Sequence, residues 1–123
     1  MSNPEFSETA PLQVACLCAQ WCGTCQEYAP LFASLQQVFP EVAFRWIDIE
    51  DEADLVDPIE VDNFPSILIT RQAQARFFGS ITPHLETLRR LIQAHLENDG
   101  ASTHPDAEVQ ALAARLRLRH PKR

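Results

Sequence analysis

Apolar positions change their spacing along the first half of the chain, and each change predicts a new element. Residues 12–19 are nearly all apolar, which is typical of a central strand covered on both faces. Over residues 24–39 the apolar side chains recur every three or four positions and predict a helix that Pro40 ends. Residues 42–49 again have the pattern of a strand. The three elements predict a βαβ unit.

The pattern continues with a short helix, a hairpin and a longer helix. The acidic stretch 51–60 predicts a short helix that Pro58 breaks or ends. Residues 66–70 and 75–78 are strand-like and close enough in sequence to form an antiparallel hairpin. Thr82 is the predicted N-cap of the last core helix, with a proline in the first helical position. The alternation of strands and helices predicts an α/β fold.

Residues 98–105 have the composition of a linker, and the chain beyond them predicts a short basic amphipathic helix. Its apolar stripe has i, i+3, i+4, i+7 spacing and consists of Val109, Leu112, Ala113 and Leu116. We expect this helix to lie outside the main core. Its apolar stripe is compatible with packing on its own domain, on a second copy of the chain or on an anionic surface, and the spacing does not distinguish these. The predicted organisation is an N-terminal arm (1–11), a domain (12–97) and a linker with its helix (98–123).

Composition and charge narrow the class of protein. The 123 residues are 46% hydrophobic and 22% charged, which fits one globular domain and excludes a multidomain protein. The net charge of −7 comes from a net of −10 over residues 1–105 and +3 over residues 106–123. An acidic domain repels phosphate groups, so we expect no nucleic-acid partner.

The chain has no apolar run of the roughly 20 residues that span a bilayer. Its first eleven residues lack the basic and apolar segments of a signal peptide. We therefore expect no membrane span and a cytoplasmic location.

Four cysteines fall within ten residues, at Cys16, Cys18, Cys22 and Cys25, and this spacing indicates a local chemical site. Cys22 and Cys25 form a Cys-x-x-Cys pair where the first strand gives way to the first helix. The positive end of the helix dipole favours a thiolate at Cys22, which is the nucleophilic form. Cys25, one turn further in, can attack a mixed disulfide between Cys22 and a substrate and so release the substrate.

The sequence resembles the thioredoxin family from about residue 12 to residue 96. The residues that carry the resemblance are Trp21-Cys22-Gly23-Thr24-Cys25, Pro30, Trp46-Ile47-Asp48-Ile49, Phe64-Pro65-Ser66 and Phe78-Gly79. The resemblance implies a minimal thioredoxin-like fold, with a four-stranded mixed sheet flanked by helices and an extra C-terminal helix. It also implies that the peptide bond before Pro65 is cis and that this loop binds the substrate chain.

The resemblance further implies a thiol-disulfide oxidoreductase that needs no cofactor beyond a redox-active Cys22–Cys25 disulfide. The implied substrate-binding residues are Trp21, Gly23, Thr24, Phe64 and Pro65. The implied partners are proteins with disulfides and an electron-donating reductase, and we expect a monomer.

The chain departs from the family in its first strand. The family usually has a buried aspartate six residues before the first active cysteine, and this chain has Cys16 there. Cys16 and Cys18 are two residues apart and therefore point to one face of the strand, which makes them candidate modulators of the redox pair. Without the aspartate, deprotonation of Cys25 would use water, Cys16, or an acid such as Asp48 or Glu50, and we expect slower turnover.

Three alternatives remain open at this point. The cysteines could be buried structural thiols, or all four could bind zinc or an iron–sulfur cluster. The chain could also be a thioredoxin-like interaction module with little catalytic activity, which the missing aspartate and the added helix favour.

Overall fold

A computed structural model describes residues 12–19, 22–56, 64–71, 74–82, 84–97 and 104–118. The elements, in chain order, are β1 (Gln13–Cys18), α1 (Gly23–Val38), β2 (Ala43–Asp48), α2 (Ala53–Val56), β3 (Ser66–Arg71), β4 (Gln74–Ser80), α3 (Leu85–Glu97) and α4 (Ala107–Leu118).

The four strands form one mixed sheet in the order β2-β1-β3-β4. Strand β1 runs parallel to β2 and antiparallel to β3, and β3 pairs antiparallel with β4. The parallel β1–β2 pair with α1 between them confirms the βαβ unit, and the β3–β4 pair confirms the hairpin. The predicted α/β class and the four-stranded mixed sheet are therefore confirmed.

Two predicted helix boundaries differ from the structure. Helix α3 begins at Leu85, whereas the sequence predicted a start directly after Thr82. The Thr82 hydroxyl lies 2.9 Å from the Thr87 hydroxyl. Its observed hydrogen-bond partner is therefore a side chain, whereas an N-cap would accept from a backbone N–H. Helix α2 has four residues, Ala53–Val56, and Pro58, which was expected to end it, lies outside the described residues.

Side chains alternate between the two faces of the sheet, and each face has its own apolar core. The face under α1 and α3 collects the even-numbered residues of β1 with buried residues of both helices. The members of this cluster are Leu12, Val14, Cys16, Cys18, Cys25, Tyr28, Phe32, Leu35, Phe39, Val42, Phe44, Ile67, Ile69, Leu88 and Ile92. The core that surrounds the cysteines is therefore built by α1 and α3.

Helix α4 covers the opposite face of the sheet. Leu112 is fully buried there in one cluster with Ala15 and Leu17 of β1. The Gln110 side chain holds the helix to the start of β4, because its amide donates to the Ala75 carbonyl at 3.0 Å and its oxygen accepts from the Ala75 N–H at 2.9 Å. The expectation that this helix lies outside the main core was wrong. Since α1 and α3 both lie on the other face, the apolar stripe of α4 buries the face that they leave open.

The helices in the described ranges have between 4 and 16 residues. None of the helices in these ranges is both long and apolar enough to cross a bilayer.

Candidate active site

The site lies where β1 ends and α1 begins. Cys16 and Cys18 lie on the same face of β1, as their spacing predicted, and their sulfur atoms are 3.8 Å apart. Cys22 is the N-cap residue of α1, and Cys25 lies in the first helical turn. Cys25 begins a series of buried positions along α1 with helical spacing, and this series packs on β1.

Cys25 forms a disulfide with Cys18, with their Cα atoms 5.8 Å apart, and Cys16 and Cys22 are free thiols. Cys22 was the expected disulfide partner of Cys25, and in this structure the partner is Cys18. The physical reason is orientation. Cys25 points into the core, where it is 1% exposed, and faces the equally buried Cys18, whereas Cys22 is half-buried at the helix end.

Both backbone polar groups of Cys22 form hydrogen bonds. Its N–H donates to the Ala19 carbonyl at 3.0 Å, and its carbonyl accepts from the Gln26 N–H at 3.1 Å. The Cys22 side chain makes no capping hydrogen bond, and the first turn of α1 contains no acidic residue. The first N–H groups of a helix have no intrahelical partner, so their positive potential acts on the thiol without an opposing carboxylate nearby in the turn.

The peptide bond between Phe64 and Pro65 is cis, as the resemblance implied. Pro65 is buried and its carbonyl accepts a hydrogen bond from the Ile81 N–H at 3.2 Å, while Phe64 is half-buried against the core under α1. The antiparallel register pairs Leu17 with the residue after Pro65. One further step of that register places Pro65 beside Cys18, at the end of β1 that carries the disulfide.

Of the remaining predicted substrate-binding residues, Gly23 and Thr24 are exposed at the start of α1. Trp21 lies outside the described residues.

Cys16 does not replace the family's aspartate as a proton acceptor at neutral pH. It is fully buried, and burial raises the pKa of its thiol well above the ordinary value of 9.0. The thiol therefore keeps its proton. Asp48 is the register partner of Cys18, so its side chain points to the same face of the sheet. Its Oδ1 accepts hydrogen bonds from the Glu50 N–H at 2.9 Å and the Asp51 N–H at 3.2 Å.

Tyr28 also lies in this region, although no motif in the sequence points to it. Its ring is buried with the cysteines in the core under α1, and its hydroxyl has no hydrogen-bond partner among the described residues. Burial, and secondly the charge of an ionised Cys16, raise the pKa of Tyr28. The sequence signal was only the helical spacing from Cys25 to Tyr28, which indicated a core position and gave no sign of an isolated hydroxyl.

A metal centre has no support from the described part of the chain, where no group of three or more His, Cys, Asp or Glu side chains could hold an ion. In this structure two of the four thiols that a four-cysteine site needs, Cys18 and Cys25, are bonded to each other.

Comparison with known proteins identifies the family. A family model described as Thioredoxin matches residues 5–94, which is more than half of the chain. The chain belongs to the thioredoxin family. Helix α4 lies beyond the matched residues, so it is an addition to the part that the family model describes.

Individual relatives agree with this assignment. A thioredoxin H-type from Fagopyrum esculentum is 36% identical over 56 residues, which cover 46% of this chain and 48% of that protein. A thioredoxin from Sus scrofa is 32% identical over 77 residues, covering 60% of this chain and 73% of that protein. The chain thus spans about half the length of the plant relative.

Among solved structures, a Fasciola hepatica thioredoxin superposes with a TM-score of 0.65 at 26% identity, over 72% of this chain and 84% of that chain. A Trypanosoma brucei brucei thioredoxin has a TM-score of 0.64 at 24% identity, over 72% and 78% of the respective chains, which shows the shared fold.

Proposed function

We propose that this protein is a thiol-disulfide oxidoreductase that acts on protein disulfides, with Cys22 as the attacking and Cys25 as the resolving cysteine. The observation that carries the proposal is the position of Cys22. It is a free, half-buried thiol at the N-terminus of a 16-residue helix, and Cys25 lies one turn inside. A Cys-x-x-Cys spacing at a helix N-terminus is typical of redox-active dithiols, so the two sulfurs can exchange once Cys25 is reduced.

The reaction proceeds by two exchanges. The Cys22 thiolate attacks one sulfur of the substrate disulfide, which forms a mixed disulfide and expels the other substrate sulfur as a thiolate. The Cys25 thiolate then attacks the Cys22 sulfur, which expels the second substrate thiolate and leaves a Cys22–Cys25 disulfide. Two electrons have passed from the cysteine pair to the substrate, and an external dithiol or reductase restores the pair.

Substrate binding is assigned to the surface around Cys22. Pro65 directly precedes β3 and follows a cis peptide bond, and in this proposal the backbone before it pairs with an extended substrate chain. Gly23 and Thr24 are exposed beside Cys22, and Phe64 is half-buried. The proposal adds Trp21 from its position in the sequence next to Cys22.

The reductase direction requires an environment that keeps thiols reduced, and we include a cytoplasmic location in the proposal for that reason. The proposal also includes a protein reductase as electron donor, a monomeric chain, and no cofactor other than the cysteines.

A second candidate is an interaction module that captures partners without releasing them, and the Cys18–Cys25 bond favours it. While Cys25 is bonded to Cys18, it cannot resolve a mixed disulfide at Cys22. The apolar stripe of α4, however, is buried on the chain's own sheet and is not available to a partner.

Insulin reduction by dithiothreitol separates these candidates. We expect the wild-type protein to accelerate insulin precipitation, and Cys22→Ser to show only the rate of dithiothreitol alone, because the attacking sulfur is gone. Cys25→Ser should also lose turnover, because the mixed disulfide is no longer resolved from within the chain. The rate is read from the turbidity of the insulin B chain.

Cys16→Ser provides the control, since it changes a buried thiol that takes no part in the two exchanges. A wild-type rate equal to that of dithiothreitol alone would contradict the oxidoreductase proposal and leave the interaction module as the better account.

A further inference from the structure

Cys25 has two cysteines within reach on different elements. Cys22 lies three residues before it at the helix N-terminus, and Cys18 lies across from it on β1, where the two are bonded. The Cα atoms of Cys18 and Cys25 are 5.8 Å apart, within the usual range for a disulfide, and a Cys-x-x-Cys spacing at a helix start is one that can also close a disulfide. Cys25 can therefore exchange one sulfur partner for the other without a change of fold.

We propose that Cys18 is a third redox-active cysteine, which takes over the disulfide at Cys25 and returns Cys22 to the free thiol. This inference rests on the proposed function, since the Cys22–Cys25 disulfide that it consumes is the product of substrate reduction. The Cys18 sulfur attacks the Cys25 sulfur, the Cys22–Cys25 bond breaks, and the Cys18–Cys25 bond forms. Cys22 leaves as a thiolate, and the proton lost by Cys18 goes to Cys22 or to water. The number of disulfides is unchanged, so the step needs no oxidant or reductant.

The neighbouring Cys16 provides the contrast that singles out Cys18. Both thiols point to the same face of β1 and their sulfur atoms are 3.8 Å apart, yet only Cys18 is bonded to Cys25. Cys16 lies two residues before the end of β1 and is a free thiol, so the geometry brings Cys18 and not Cys16 into bonding contact with Cys25.

The transfer changes what the oxidised protein can do. Before it, the disulfide includes the half-buried Cys22 and both sulfurs of the active pair are used. After it, the disulfide joins two side chains that are each 1% exposed, and Cys22 is a free thiol again. The chain then keeps one disulfide, which is a two-electron oxidation, in its core. The free thiol of Cys22 can still attack a second substrate disulfide. That second partner stays attached, because Cys25 is occupied.

The test follows the disulfide in time. Fully reduced full-length protein, freed of reductant, is mixed with one equivalent of glutathione disulfide, and samples are quenched with acid and alkylated with N-ethylmaleimide. Digestion with chymotrypsin can cut after Leu17 and after Trp21. A Cys22–Cys25 bond then lies within one peptide, whereas a Cys18–Cys25 bond joins two peptides, and mass spectrometry distinguishes them.

We expect the Cys22–Cys25 bond to form first and the Cys18–Cys25 bond to replace it, with Cys22 alkylated in the final samples. Cys18→Ser should stop at Cys22–Cys25 with Cys22 unlabelled. Cys16→Ser is the matched control, on the same strand and face, and should behave as wild type. A wild-type end state with Cys22–Cys25 as the intramolecular disulfide would overturn the proposal, as would equal loss of the transfer in both serine variants.

The time course of the wild-type protein does not depend on whether a variant folds. Glutathione disulfide is a small molecule, so its reaction does not depend on the proposed protein-binding surface. Transfer of the disulfide in a protein that does not reduce insulin therefore contradicts the proposed function alone. A persistent Cys22–Cys25 disulfide in a protein that does reduce insulin overturns the role of Cys18 alone.

Discussion

At the scale of single residues, the chemistry of the site depends on how differently its four thiols are placed. Cys22 has a helix N-terminus beside it and is half-buried, while Cys16 is enclosed by apolar side chains of the core. A thiolate needs either solvent or positive charge, and Cys16 has neither in this core. The same residue type therefore occupies a half-buried helix end at Cys22, the proposed nucleophile, and a closed apolar core six positions earlier.

The burial of Cys16 predicts how stability depends on pH. Its pKa in the unfolded chain is near 9.0 and is raised in the folded protein, so above pH 9 the unfolded state loses a proton that the folded state keeps. The free energy of unfolding should fall as pH rises, by at most about 1.4 kcal/mol per pH unit for this one proton. Tyr28, whose ordinary pKa is 10.0 and is also raised, adds a second decline that begins about one unit higher.

Urea unfolding of the oxidised protein between pH 8 and pH 10 measures this slope. Cys16→Ala should show a shallower decline than wild type, whatever the cost of the cavity it creates, because the slope depends only on the titrating group. Equal slopes for the two proteins would show that Cys16 ionises alike in the folded and unfolded states.

At the scale of elements, different helices cover the two faces of the sheet. Helix α1 carries the site and, with α3, encloses the cysteine face, while α4 closes the other face with Val109, Leu112 and Leu116. Both faces of β1 are fully buried as a result, which holds Cys18 in place opposite α1.

Leu112→Ala tests the packing of α4. Removal of a fully buried leucine side chain should lower the free energy of unfolding by about 2 to 5 kcal/mol. Ala114→Ser, on the exposed side of the same helix, should change it by less than about 1 kcal/mol. Chemical denaturation measures both, and a loss below about 0.5 kcal/mol for Leu112→Ala would mean that α4 does not stabilise the sheet.

The spacing of apolar residues predicted an element well where the same spacing continued along the whole element. The bounds of β1, α1 and β2 came out within one residue at each end, because a buried strand and a one-sided helix have different spacings. The position of α4 was not predictable in the same way. A stripe of four apolar residues can pack on any apolar surface. The sequence does not reveal that α1 and α3 leave one face of the sheet uncovered.

The disulfide partner of Cys25 shows a second limit of the sequence. Spacing alone brings Cys22 near Cys25, because both belong to one helix start. The approach of Cys18 depends on how α1 crosses β1, and that is a property of tertiary packing. The common face of Cys16 and Cys18 was predictable from the strand period, whereas the choice of Cys18 over Cys22 as the partner of Cys25 was not.

At the scale of the whole molecule, the fold brings a strand end, a helix start and a cis-proline step to one place. The β1–β3 register ends at the residue after the cis Phe64–Pro65 bond, and four residues separate the end of β1 from the start of α1. In the proposed function, this region contains the attacking sulfur of Cys22 and the backbone segment that binds the substrate chain.

The account depends most directly on which sulfur attacks a disulfide. Cys25→Ser protein is incubated with insulin, the covalent adduct is isolated under acid, and tandem mass spectrometry locates the attachment. We predict that the insulin chain is attached to Cys22 and that Cys22→Ser combined with Cys25→Ser forms no adduct. Attachment at Cys16 or Cys18, or the same yield of adduct from the double variant, would contradict the account.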